Sequence, residues 1–104
     1  MSDTTETREH RLKRLHMRSW RRGMKEMDLI LGHFADDGLD RLTPEELDLY
    51  ERMLGENDQD LYLWVTGRIG TEVAPERGAP AFLDPMLDMI ARHAAARFGT
   101  ARQG

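Results

Sequence analysis

The chain of 104 residues contains no cysteine, which removes disulfides, thiol catalysis and every cysteine-ligated zinc or iron–sulfur site. It has only two serines, Ser2 and Ser19, and neither sits in the strained turn that exposes a catalytic nucleophile. Glycines never recur at the G-x-G-x-x-G or G-x-x-x-x-G-K spacing of a phosphate-cradling loop. Long apolar runs are missing too. Leu29-Ile30-Leu31 and Ala94-Ala95-Ala96 are among the longest, far short of the ~20 residues that span a bilayer. Direct membrane insertion is therefore not expected. Residues 1–6 hold two acids and no apolar stretch, so neither a secretory signal nor a transit peptide is expected. Metal-ligand spacing is also lacking. His10 and His16 do not share a helix face, His33 and His93 fall on different elements, and no H-x-x-x-H or E-x-x-H pair occurs. The residues thus offer no catalytic, cofactor-binding or metal-binding set.

What is present is charge and helical periodicity. Hydrophobic residues make up 39% of the chain and charged ones 33%, polar for a globular domain but not the composition of a disordered chain. One domain spanning 1–104 is expected. The net charge of −4 conceals an asymmetry: residues 1–26 carry eight Lys/Arg against four acids, residues 27–67 two against eleven, and residues 68–104 five against four. Either the basic segment lies against an acidic face of its own domain, or it is a basic surface aimed at an acidic partner. Nucleic acid is disfavoured as that partner, because phosphate binding needs sustained local positive charge and the middle block is strongly acidic.

About five helices are expected and no strand, giving an all-α, small single-domain bundle. Good helix formers run from Arg8 to Arg21, with Leu12, Leu15 and Ser19 on one face. Gly23 interrupts. Met27, Ile30, Leu31 and Phe34 then form the stripe of a second helix, ended by Asp36-Asp37-Gly38. Thr43-Pro44-Glu45-Glu46 reads as a capping box with proline at the first helical position, opening a third helix with Leu47, Tyr50 and Leu54 inward and Gly55 as its stop. A short fourth helix follows Asn57 or Asp58, with Leu61, Trp64 and Val65 on its core side. Glycines and prolines over 68–80 mark a loop. Asp84-Pro85 then reads as a cap-plus-proline start within a last helix over 81–98, with residues 1–7 flexible. The seven methionines are expected as adaptable core filler.

One stretch stands apart. Trp20-Arg21-Arg22-Gly23-Met24-Lys25-Glu26-Met27-Asp28 sets a tryptophan, two arginines, a glycine and two acids between helices. Glycine inside a helix costs roughly 0.5–1 kcal/mol relative to alanine, which points to a turn or a close approach of another backbone. Arg22 and Glu26 would pair if the helix ran through. The residues alone leave a helix corner and an interaction site both open.

Arg22-Gly23-Met24-Lys25-Glu26 resembles the R-G-x-x-E signature of the succinate dehydrogenase assembly factors that promote flavinylation. Leu47–Leu54 is similar to that family's third-helix segment, and Asp58-Gln59-Asp60-Leu61-Tyr62-Leu63-Trp64 to its D-x-D-L-x-x-W segment. The resemblance covers residues 12–67. It implies a non-enzymatic helical bundle that binds the flavoprotein subunit of succinate dehydrogenase, with the fumarate reductase subunit a further client in bacteria. Such a factor helps FAD become covalently attached to a client histidine. No flavin is stably bound by the factor itself, and the acting form is expected to be a cytoplasmic, bacterial monomer. The carry-over places Arg22, Gly23 and Glu26 in the partner contact, with Trp20, Arg21, Met24, Lys25 and Asp28 as neighbours. Positioning of the client is favoured over direct electrostatic action at the flavin. A basic-helix nucleic-acid regulator and a generic adaptor bundle are the alternatives.

Overall fold

A computed structural model of the chain describes residues 6–69 and 79–99, and within them every regular element is helical. Thr7 starts α1 (Arg8–Trp20): its backbone is extended and its hydroxyl accepts the His10 amide at 3.1 Å, satisfying one orphan N–H of the first turn. Helix α2 (Lys25–Gly38) runs into a 3-10 turn, Leu39–Arg41. The capping box of α3 (Pro44–Leu54) forms as the sequence predicts. Glu46 N–H donates to Thr43 Oγ1 at 3.1 Å and Thr43 N–H donates back to Glu46 Oε1 at 2.9 Å. At α4 (Asp58–Thr66) the cap is Asn57, whose Oδ1 accepts the Gln59 and Asp60 amides. That leaves the Asp58 carboxylate free for other work.

The last helix differs from expectation at both ends. A 3-10 turn, Ala81–Leu83, feeds directly into α5 (Asp84–Ala94), so Asp84 already has helical dihedrals and caps nothing. Its carboxylate instead accepts Arg68 Nη2 at 2.9 Å, tying the end of α4 to the start of α5. Beyond Ala94 the helix relaxes into a π turn, Ala95–Gly99. Residues 70–78 of the expected loop, and residues 1–5, lie outside the described residues. Glu6 and Thr7 are held, by Arg14 and by the α1 cap respectively.

Helix α2 sits centrally, packed against α1, α4 and α5. The core takes Leu15 from α1, Met27 and Leu31 from α2, Leu47, Tyr50 and Met53 from α3, Leu61, Trp64 and Val65 from α4, and Met86, Leu87 and Ile90 from α5. Three methionines, Met27, Met53 and Met86, are fully buried, while Met24 and Met89 pack at the margin and Met17 is exposed. Ser19 is the one buried polar residue among those described. Its Oγ donates to Leu15 O at 2.8 Å and shares a 2.6 Å hydrogen bond with the Tyr50 hydroxyl, locking α1 to α3. Burial pushes the Tyr50 phenol well above its ordinary value, so it stays a neutral donor or acceptor.

The basic helix is largely satisfied by its own domain. Arg8 donates to the carbonyls of Asp40 and Leu42, Arg11 to Asp48 and Glu51, and Arg14 to Glu6 and Glu51. Of the two readings of the charge asymmetry, the intramolecular one accounts for these three arginines.

Candidate functional site

The chain turns from α1 to α2 over Arg21–Met24, and the turn is built around one carboxylate. Asp58, in the first turn of α4, accepts Arg22 Nε on Oδ1 at 2.6 Å and the Gly23 amide on Oδ2 at 2.8 Å. Arg22 also reaches the end of α3 and the segment just past it: Nη1 donates to Leu54 O at 2.8 Å and Nη2 to Glu56 O at 3.0 Å. The Leu54 carbonyl is one of the acceptors a helix C-terminus leaves unpaired, at the negative end of its dipole. The Arg22 amide donates to Asp28 Oδ1. One arginine thus joins the α1–α2 turn, the end of α3 and the start of α4. Its side chain is only 9% exposed.

The Arg22–Glu26 pair that an unbroken helix would have made is absent. The helix breaks between them, so the i,i+4 relation never forms, and Asp58 takes the guanidinium instead. Gly23 is exposed and its φ lies outside the left-handed region, so neither a forced conformation nor internal crowding demands glycine there. A methyl at that position would meet only Asp58 Oδ2, at an ordinary 3.5 Å.

The neighbours divide into two sets. Trp20, Arg22, Met24 and Asp28 turn at least partly inward, whereas Arg21, Gly23, Lys25 and Glu26 are exposed. Glu26 lines an open, mostly apolar groove with Leu29, Ile30, Tyr62, Thr66 and Phe98. Trp20 lies on α2 over Gly32, its Nε1–H donating to Asp36 Oδ1 at 3.2 Å and its ring meeting His33 edge-on. His16 also reaches Asp36, and these two contacts hold the Asp36 carboxyl below its usual range.

Sequence reasoning missed Asp58 and Gly32. Asp58 was visible as a candidate start of the fourth helix and as part of the D-x-D-L-x-x-W segment, but its partner Arg22 lies 36 residues away. Gly32 hid inside a good helical stripe, where an isolated glycine is the available hint of a packing contact. Among the described residues no group of three or more His, Asp or Glu could hold a metal ion, and no helix is long and apolar enough to cross a membrane.

The sequence model of the family described as flavinator of succinate dehydrogenase matches residues 13–94, from within α1 to the end of α5. The chain belongs to that family. Among curated relatives, it is 38% identical over 90 residues to the mitochondrial succinate dehydrogenase assembly factor 2 of Meyerozyma guilliermondii, covering 86% of this chain and 67% of that protein. It is 44% identical over 79 residues to the Aspergillus terreus protein of the same name, covering 76% of this chain and 24% of the relative. The Candida glabrata protein of that name is 47% identical over 64 residues, covering 62% and 42%. The chain therefore spans less than half the length of two of these relatives. No solved structure matches it. The flavinator family bears out the resemblance read from R-G-x-x-E, over the nucleic-acid and generic-adaptor alternatives. One expectation is overturned: these relatives are mitochondrial proteins of fungi, not cytoplasmic proteins of bacteria. The polar opening residues decide no compartment in a chain that spans only part of its relatives.

Proposed function

We propose that this protein binds the flavoprotein subunit of succinate dehydrogenase and promotes covalent attachment of FAD to a histidine of that subunit. The observation that carries this is the family match over residues 13–94, which includes the whole Arg22–Glu26 corner. The attacking imidazole and the flavin both belong to the partner. This protein contributes a surface that holds the partner in reacting geometry, a proximity effect, and is not itself an enzyme. It keeps no FAD of its own, acts as a monomer, and takes the related fumarate reductase subunit as a second client.

Within the corner, Gly23 and Glu26 make the contact and Arg22 positions them. Arg22 gives one hydrogen bond from each of its three nitrogens to Asp58, Leu54 O and Glu56 O, so its head is held inside the bundle. Gly23 presents an exposed backbone with no side chain, which lets a partner backbone come close. Glu26 presents a carboxylate beside an apolar groove.

The test is covalent flavin, scored as acid-stable fluorescence on the denatured flavoprotein subunit. It should be lost on deletion of the gene and restored by the wild-type chain. Gly23→Ala and Glu26→Ala should melt like the wild type yet restore little. Undiminished covalent flavin in the deletion strain would sink the proposal, and full activity of both variants would reduce the corner to a structural joint.

A further inference from the structure

Once the domain's own acids have taken their shares, the basic segment is not fully used. Arg8, Arg11, Arg14 and Arg22 are engaged by carbonyls and carboxylates of α3, α4 and the segments beside them. Arg18 comes no closer than 3.9 Å to Glu51, a carboxylate already shared by Arg11 and Arg14. Arg21 is exposed and forms no ion pair among the described residues. Beside Arg18 stands Met17, 53% exposed. Arg14 lies three residues before Met17 and four before Arg18, so the three share one face of α1, and Arg21 follows at its C-cap. With Arg22 they line a crevice of about 420 Å³ that contains no acid. Two guanidinium groups without a short ion pair, Arg18 and Arg21, stand beside one exposed thioether next to the R-G corner, a surface whose charge calls for a complement.

We propose that this crevice receives an acidic segment of the partner, one that presents carboxylates to Arg18 and Arg21 and an apolar side chain to Met17. The reading rests on the flavoprotein subunit being that partner. Guanidinium forks suit bidentate carboxylate binding, and the adaptable methionine side chain accepts varied apolar shapes. A polypeptide fits better than nucleic acid. A nucleic-acid interface neutralises several phosphates, whereas here two of the four arginines are already paired to acids and the adjoining block of the chain is strongly negative. The inference also divides the labour. The crevice brings the partner in through charge, and the Gly23–Glu26 corner sets its final position.

The experiment titrates purified flavoprotein subunit with the full chain, comparing wild type, the double variant Arg18→Glu/Arg21→Glu, Met17→Asp, and Arg92→Glu as an exposed charge reversal on α5. All four should melt alike, because neither Arg18 nor Arg21 holds a short ion pair. The double reversal should raise Kd at least tenfold and flatten its dependence on salt. Met17→Asp should raise Kd several-fold, and Arg92→Glu should leave it within about twofold. A double reversal that binds like the wild type, or an Arg92→Glu variant that weakens binding equally, overturns the crevice while leaving the partner intact. Failure of the wild type to bind the flavoprotein subunit overturns both readings together. Wild-type binding to a nonspecific DNA duplex that collapses with salt and is lost in the double reversal assigns the crevice to phosphate, against the proposal.

Discussion

Two glycines, Gly23 in the α1–α2 turn and Gly32 within α2, should respond to alanine with opposite signs. At Gly32 a new Cβ would lie 2.3 Å from Trp20 Cδ2, 2.4 Å from Cε2 and 2.6 Å from Cε3, well inside the distance any carbon pair tolerates. The indole cannot drift freely, since its Nε1–H is bonded to Asp36 and its ring abuts His33. Overpacking of this kind costs about 1–3 kcal/mol. Replacing glycine by alanine inside a helix returns about 0.8–1 kcal/mol. With the loss of the Trp20–Asp36 hydrogen bond included, the net should be a destabilisation of about 1–2 kcal/mol. For a domain of this size that lowers Tm by about 5–15 °C. At Gly23 the same substitution meets only ordinary contact at 3.5 Å and stiffens the unfolded chain, so stability should be unchanged or rise by up to ~1 kcal/mol. Thermal melts followed by circular dichroism measure both. The double variant Trp20→Ala/Gly32→Ala should be more stable than the sum of its single changes, because the clash disappears with the ring. A Gly32→Ala protein that melts at or above the wild type would refute the reasoning.

Arg22→Ala should cost about 2–4 kcal/mol, since it strands Asp58 and two carbonyls at the end of α3; denaturant titration with Asp58→Ala should show the pair far from additive. Ser19→Ala should destabilise by about 1–3 kcal/mol by leaving the buried Tyr50 hydroxyl unpaired, and by more than Tyr50→Phe, because Ser19 keeps its bond to Leu15 O. Trp64→Ala, at a position 6% exposed, should cost about 3–5 kcal/mol in the same assay. Arg14, then Arg11, hold the Glu51 carboxyl below its ordinary value of 4.5. Its contribution is therefore complete above that pH and lost as pH falls through the lowered value. Melting temperature should drop more steeply below about pH 4.5 in the wild type than in Glu51→Gln, and parallel acid limbs would count against this.

Most of the bundle is legible in the chain because its signals are local. Thr43-Pro44-Glu45-Glu46 forms its capping box within four residues, and the stripe of Met27, Ile30, Leu31 and Phe34 faces the core because 3.6-residue periodicity leaves no other face apolar. Trp64 reads as core for the same reason. The start of α5 was misread since Asp84-Pro85 has the right letters for a cap. The preceding 3-10 turn, which sets Asp84 in helical dihedrals, carries no comparable signature.

The sequence by itself determined an all-helical chain without thiols or ligand pairs, the order of its helices, and, through R-G-x-x-E and its companion segments, the family. Tertiary structure decided what each residue of the corner touches. Helix breakage at Gly23 and the approach of α4 gave Arg22 to Asp58 and left Gly23 and Glu26 exposed. It also decided which cations of the basic helix are spent inside the domain and which remain on its surface. The physical reason is range. Caps and stripes are set by neighbours within a turn or two, whereas the pairing of Arg22 with Asp58, or of Trp20 with Gly32, depends on which helices pack together.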